Sequence, residues 1–251
     1  MITKNNEILA ITQSQYEASV QGYTMAAQAG LTLTDFVTPR QAMTISPEGV
    51  ARIHITGALT DQAPPIHEMT GGTDYRSIRS EISEAQAQGA SEIIYMINSG
   101  GGSIQGMSEA AFAMEHSGIP STSYVDGIAA SAAYYLATNS DGGIVSSPSS
   151  MSGNIGAIMS WMDATNAMDS QGVQSIAITN EGADLKSIGK GELTSSQEQF
   201  LQGMVDEMGA DFRAQVERTR PNVKEEVFRA GWYQGSTALS LGLVDQVGTL
   251  S

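Results

Sequence analysis

The stretch Asp126-Gly-Ile-Ala-Ala-Ser131-Ala-Ala-Tyr-Tyr-Leu-Ala-Thr-Asn-Ser-Asp141 joins a short strand pattern to a segment rich in alanine. Ser123-Tyr-Val125 is typical of a strand end, Gly127 breaks it, and residues 129–138 predict a helix. Ser131 would then lie near the first helical turn, where free N–H groups and the helix dipole favour negative charge. Its hydroxyl suits a nucleophile, but also a helix cap or a serine packed between small side chains.

Strand and helix patterns alternate on both sides of this stretch. Strands are predicted at 50–59, 92–97, 122–125, 143–147, 155–159 and 175–179. Helices are predicted at 74–88, 104–116, 164–171, 194–218 and 223–229, and the tail from Trp232 to Asp245 indicates a strand–helix–strand closure. Such alternation predicts an α/β fold with a mostly parallel sheet and right-handed crossovers.

Two small-residue turns follow consecutive predicted strands. One is Asn98–Ser103, which contains Gly100-Gly101-Gly102, and the other contains Ser131. Ligands collect at the carboxyl ends of strands in such sheets, so both turns are expected at one edge. The glycines form neither a P-loop nor a dinucleotide fingerprint. They indicate either a tight turn or an oxyanion hole, in which the N–H groups of Gly101 and Ala132 would face a tetrahedral oxyanion.

A serine nucleophile needs a proton acceptor. The three histidines, His54, His67 and His116, are widely separated and lack a partner pattern, which disfavours a Ser-His-Asp triad. Lys186 and Lys190 lie in a glycine-broken loop after the predicted strand 175–179. A lysine acts as a general base when burial favours its neutral form, although two solvated loop lysines fit the pattern as well.

Composition excludes several functional classes. A formal net charge of -15 and a pI near 4.4 argue against a nucleic-acid surface and against binding to anionic membranes. The chain has no cysteine, so thiol catalysis, cysteine zinc sites and disulfides are excluded. No apolar run approaches the ~18 residues of a membrane span, and the N-terminus does not resemble a signal peptide, so we expect a cytoplasmic protein without an integral membrane segment.

Several motifs occur together in a recognisable order. They are Ile97-Asn-Ser-Gly-Gly-Gly102, residues 126–135, Ser152-Gly-Asn-Ile-Gly-Ala157, the Lys186 loop and Gly242-Leu-Val-Asp245. In this order the chain resembles the signal peptide peptidase A (protease IV) family of Ser-Lys peptidases over roughly residues 48–248. The resemblance implies a Clp-protease/crotonase-like α/β fold and a serine endopeptidase that needs no metal and no cofactor.

The resemblance also implies roles for individual residues. Ser131 would be the nucleophile, Lys186 the general base (with Lys190 as the alternative), and the N–H groups of Gly101 and Ala132 the oxyanion hole. Three departures from the family pattern stand beside these roles. Gly100 stands where the family usually has proline, Ala132-Ala133 replace common glycines, and Asn154 stands where many members carry a serine that hydrogen-bonds the lysine.

Within the family the chain is most similar to phage or prophage head-maturation proteases. This likeness implies polypeptide substrates, including capsid or scaffold proteins, a homo-oligomer, and a location in the host cytoplasm or procapsid interior. Residues 1–45 would be an N-terminal arm or oligomer-contact segment, with a helix near 13–29, and 46–251 the Ser-Lys peptidase domain. The alternatives are a signal-peptide-degrading peptidase, a crotonase-type acyl-CoA enzyme and an inactive structural homologue.

Overall fold

The computed structural model describes residues 9–10, 38–161, 163, 165–174, 176–189 and 192–250. The strands are β1 (Leu9–Ala10), β2 (Thr44–Ile45), β3 (Val50–Thr60), β4 (Thr73–Asp74), β5 (Glu92–Ser103), β6 (Ser121–Ala130), β7 (Ile144–Ser146), β8 (Met151–Gly153), β9 (Trp232–Gln234) and β10 (Gln246–Val247). The α-helices are α1 (Ile66–Met69), α2 (Tyr75–Ala87), α3 (Met107–Glu115), α4 (Ala132–Ala137), α5 (Thr165–Ser170), α6 (Ser195–Thr219) and α7 (Gly235–Ser240). Single 3-10 turns lie at Asp184–Ser187 and Glu225–Arg229.

The strands form one twisted sheet in the order β10-β7-β6-β5-β3-β2. Each neighbouring pair from β10 to β3 is parallel, and β2 is antiparallel to β3. The shorter strands β1, β4, β8 and β9 attach to the main ones. This architecture confirms the predicted mixed α/β fold with a mostly parallel sheet, and it is consistent with a Clp-protease-like fold.

The core lies between the sheet and the helices that cover it. Alternate residues of β5, namely Ile93, Tyr95 and Ile97, are fully buried, and the residues between them are half-buried, so one face of this strand faces the core. Helix α4 packs against β5, and its Tyr134 hydroxyl donates to the Leu243 carbonyl oxygen at 2.8 Å. Burial raises the pKa of Tyr134, so this hydroxyl stays a donor across the working pH range. The C-terminal segment therefore anchors the helix that follows Ser131.

Two predicted boundaries near the glycines and Ser131 are wrong. Strand β5 continues through the glycine run to Ser103, whereas the sequence predicted a turn from residue 98. Strand β6 continues to Ala130, so α4 begins at Ala132 rather than at residue 129. Backbone pairing with β3 and β8 outweighs the local preferences of glycine and alanine in these segments. As a result Ser131 lies in the turn before the helix instead of inside it.

Two other predicted strands are also wrong. The strand expected at 155–159 is replaced by β8, which lies a few residues earlier and pairs with β6 and β9. The described residues of the predicted strand 175–179 form no strand, and Ile176 and Ile178 are 79% and 93% exposed. An alternating apolar pattern forms a strand only where a neighbour accepts its hydrogen bonds and its apolar face. Within the described part of the chain, this segment has no such neighbour.

The N-terminal predictions fall mostly on residues that the structure does not describe. The helix predicted near 13–29 lies outside the described residues, and the division between residues 45 and 46 stays a prediction. Strand β1 is described, and it pairs antiparallel with the end of β5. Among the described helices, none combines the length and the apolar character needed to cross a bilayer.

Candidate active site

Ser131 occupies a sharp turn between β6 and α4. Its backbone has φ +53° and ψ -127°, a conformation that side-chain-bearing residues rarely adopt. The Ser131 N–H donates to the Gly153 carbonyl oxygen at 3.0 Å, and the Ser131 carbonyl accepts from the Tyr135 N–H at 3.0 Å. The hydroxyl makes no capping hydrogen bond to α4, so it does not serve as a helix cap.

The turn resembles the strained strand-to-helix elbow on which serine hydrolases present their nucleophile. A non-glycine residue held in such a conformation costs on the order of 1–3 kcal/mol, and it persists only where the surroundings fix it. The surroundings here are alanines: Ala129, Ala130, Ala132 and Ala133 are all fully buried. Their small side chains let β8 and α4 approach the turn closely.

The candidate site forms where two neighbouring strands separate. Strands β5 and β6 pair as far as Ser99 opposite Ala129. Beyond that pair, Gly101 lies opposite Ala58 of β3, and Ala130 lies opposite Gly153 of β8. The glycines of β5 and the Ser131 turn therefore line the two sides of one opening. The structure thus brings together Gly100, Gly101, Gly102, Ser131 and Ala132, as the sequence predicted for one sheet edge.

The glycines are required by the close approach of β3. Gly101 has φ +104°, and a Cβ added at Gly102 would lie 1.8 Å from the Leu59 carbonyl oxygen. The Gly101 N–H donates to the Ser99 hydroxyl at 3.1 Å, and that hydroxyl donates to the Gly57 carbonyl at 2.6 Å. Ser99 thereby fixes the orientation of the Gly101 peptide. In this state the Gly101 N–H is engaged with Ser99, so its role toward an oxyanion stays a prediction.

The Ala132 N–H lies at the first helical position of α4. An N–H at this position has no carbonyl of its own helix to bond, which leaves it available to an oxygen in the opening. It follows directly after Ser131, so a carbonyl attacked by the serine hydroxyl would lie beside it.

Asn154 follows directly after Gly153, the residue that holds the Ser131 N–H. Its backbone is also left-handed, with φ +56°. The Asn154 Nδ2 donates to the Ala230 carbonyl at 3.0 Å, and its N–H donates to the Gly231 carbonyl at 2.6 Å. The bond to Ala230 holds the side chain through its nitrogen and does not use the amide oxygen. That oxygen can accept a hydrogen bond from an amine, so a supporting role for Asn154 is sterically consistent and stays a prediction.

Lys186 lies apart from this opening. It is exposed, belongs to the 3-10 turn Asp184–Ser187, and lines an open cavity with residues 176–180. Ser131 is not among the residues that line this cavity, and no hydrogen bond of the described residues joins the two side chains. The alternative base, Lys190, lies outside the described residues. The structure therefore does not bring the predicted base and nucleophile together within one chain.

Two residues that position the site were not singled out from the sequence. Ser99 is fully buried and orients Gly101, but a serine next to glycines gives no sequence signal of that bond. Gln197 is 3% exposed, and its Nε2 donates to the Asp184 carbonyl at 2.9 Å and to Ser187 Oγ at 2.8 Å. Gln197 also completes a capping box with Thr194. The capping-box pattern could have pointed to it, since it anchors the Lys186 turn to the start of α6.

Comparison with known proteins decides the family. A family model described as peptidase family S49 matches residues 113–251, which is more than half of the chain. The chain belongs to peptidase family S49. The matched residues of this S49 chain include Ser131, Asn154 and Lys186, whereas the glycines of β5 precede them.

A relative agrees with this assignment. A Methanocaldococcus jannaschii protein that is provisionally named a protease is 30% identical over 164 residues, which are 62% of this chain and 52% of that protein. The S49 chain thus spans about half the length of the curated relative it matches. Family and relative together support a peptidase, while the roles of Ser131, Lys186, Gly101 and Ala132 stay predictions.

The strained turn predicts an unusual stability difference. Replacing Ser131 with glycine should give a free energy of unfolding about 1–2 kcal/mol higher than replacing it with alanine, because glycine alone tolerates this φ. Urea denaturation of the two variants measures the difference. Ser152 is the matched control, since it is fully buried at negative φ. There the glycine variant should be the less stable of the two. Equal stabilities at position 131 would contradict the strain.

Proposed function

We propose that the protein is a serine endopeptidase in which Ser131 is the nucleophile. The observation that carries the proposal is the sharp turn at Ser131, whose backbone φ is +53°. The Ser131 side chain makes no capping hydrogen bond to α4, and the residue lies inside the segment that the S49 family model matches. Such strain is retained where a hydroxyl must be presented to a substrate. The site lies where β5 and β6 cease to pair, at a strand edge of the kind to which an extended polypeptide can add.

The proposed reaction proceeds through an acyl-enzyme. The Ser131 Oγ attacks the carbonyl carbon of the scissile peptide while the neutral Nζ of Lys186 takes the hydroxyl proton. The carbonyl oxygen becomes an oxyanion, which accepts hydrogen bonds from the N–H groups of Ala132 and Gly101. The lysine then gives its proton to the leaving amine as the C–N bond breaks. A water molecule, deprotonated by the same amine, hydrolyses the ester.

The base is proposed to come from a neighbouring subunit. Lys186 lines a cavity whose lining does not include Ser131, and no hydrogen bond of the described residues joins the two side chains, which supports a base supplied by another copy of the chain. The segment that carries Lys186 also exposes large apolar side chains. These include Val173, Ile176, Ile178 and Phe200, which are 53%, 79%, 93% and 46% exposed. Fully burying an exposed side chain of this size contributes about 1.5–3 kcal/mol, and proportionally less where it is already half-buried, so a second copy of this chain would gain both that burial and a complete site.

A mixing experiment tests the dyad and its location in the assembly. Ser131→Ala and Lys186→Ala should each abolish casein cleavage, because one lacks the nucleophile and the other the base. A refolded equal mixture should recover about one quarter of the wild-type activity, since a random neighbour pair combines the intact serine with the intact lysine once in four.

Two controls sharpen this experiment. Lys224→Ala removes a lysine of a different surface segment and should leave cleavage unchanged. Lys186→Arg keeps the positive charge but provides no base, so this variant alone should be inactive. When it replaces Lys186→Ala in the mixture, the recovered activity should be the same. A mixture that remains inactive, although the single variants fold and assemble, would contradict a dyad shared between subunits. A fully active Ser131→Ala would contradict the mechanism itself.

We further propose that the natural substrates are capsid or scaffold proteins of a phage head. The support for this proposal is the chain's resemblance, within the family, to head-maturation proteases. Mass spectrometry of candidate coat and scaffold proteins after incubation should show discrete cuts that Ser131→Ala does not make. Preferential degradation of free signal peptides, with coat and scaffold proteins left intact, would instead favour a signal-peptide-degrading peptidase.

A further inference from the structure

The strand β1 lies directly beside the candidate active site. Leu9 is paired with Ser103 and Ala10 with Gly102, and the pairing is antiparallel. These partners belong to the glycine-rich end of β5, which forms one side of the opening that contains Ser131. A segment far from Ser131 in the sequence is therefore placed at the site by backbone pairing.

The sheet register shows which edge of β5 this segment covers. A strand has two edges, and Gly102 pairs with Leu59 of β3 on one of them. Because Gly102 is also paired with Ala10, β1 must lie on the other edge. That other edge is the one along which β6 runs until the pair Ser99–Ala129. Beyond the pair Ser99–Ala129, β1 therefore lies along the edge of β5 with which β6 no longer pairs. This is the side on which the Ser131 turn begins.

This edge is where an extended polypeptide would have to bind. Peptides commonly bind by adding a strand to an open sheet edge, with main-chain hydrogen bonds that do not depend on side-chain identity. Strand β1 already makes this kind of pairing. Ser131 is only 1% exposed, so a substrate cannot reach its hydroxyl while the site stays as it is described.

We propose that residues 9–10 are an intramolecular occupant of the peptide-binding edge, which keeps the site closed until a substrate displaces them. The proposal rests on the peptidase function proposed above and adds a form of regulation to it. Two residues make only a few hydrogen bonds, each worth about 1 kcal/mol net. Attachment to the same chain keeps this weak strand at a high local concentration beside the edge. A longer substrate strand makes more hydrogen bonds along the edge and can replace it.

The test measures peptide binding in the full-length chain with Ser131→Ala, so that no cleavage occurs. The probe is a fluorescein-labelled peptide with the sequence of residues 6–13, Asn-Glu-Ile-Leu-Ala-Ile-Thr-Gln. Adding Leu9→Pro and Ala10→Pro removes both N–H groups of β1 and disfavours pairing. The peptide should then bind about tenfold more tightly, as expected if the edge is open in about one molecule in ten of the parent. Fluorescence anisotropy gives both dissociation constants.

The matched control changes the same residues but keeps their backbone donors. With Leu9→Val and Ala10→Val, the affinity should remain within about twofold of the parent, because valine favours a strand. Hydrogen exchange of residues 98–106 is the second measurement, and it should be faster in the proline variant than in the valine variant. Equal peptide affinities in the proline and valine variants, or equal exchange, would overturn the proposal.

Failure of the peptidase function would be visible separately. In that case the wild-type protein and the proline variant with Ser131 restored would both leave casein intact. The binding and exchange measurements use variants without the Ser131 hydroxyl, so they would still report whether β1 covers the edge of β5.

Discussion

The separation of β5 from β6 is the constraint on which the candidate site depends. Beyond the pair of Ser99 with Ala129, β5 remains paired with β3, β6 pairs with β8, and the Ser131 N–H donates to the Gly153 carbonyl at 3.0 Å. This hydrogen bond fixes the serine in its left-handed conformation at the start of α4. On the other side of the opening, Ser99 fixes the Gly101 peptide. The geometry of the candidate site is therefore produced by the backbone pairing of the sheet.

The fold could largely be predicted from the sequence, because strong periodic patterns coincide with buried elements. The strand at 50–59 and the helices at 74–88 and 194–218 match β3, α2 and α6. The glycine run could not be recognised as strand, because its pairing with Leu59 is a long-range contact that contradicts the local preference of glycine. The strand predicted at 175–179 is wrong for the opposite reason. Ile176 and Ile178 have a strand-like pattern, but no neighbouring strand pairs with them within the described residues.

The site could be predicted only in part for a related physical reason. Ser131 follows β6 and the glycines form the end of the adjacent parallel strand β5, so topology alone places them at one edge. The bond from Gly101 to Ser99 and the covering of that edge by β1 are set by register, which local sequence does not encode. The proposed base, Lys186, lies near exposed apolar residues, where assembly and catalysis would be completed by the same contact. A site distributed in this way would be active only after assembly and only when β1 is displaced.

The most direct measurement of the central claim is covalent labelling by a fluorophosphonate, followed by peptide mapping with mass spectrometry. The reagent reacts with activated serine hydroxyls and hardly at all with ordinary ones. The account predicts a single adduct, on Ser131, in the assembled protein, and no adduct in the Lys186→Ala variant. An unlabelled Ser131 in assembled, folded protein, or an adduct on another serine, would contradict the account.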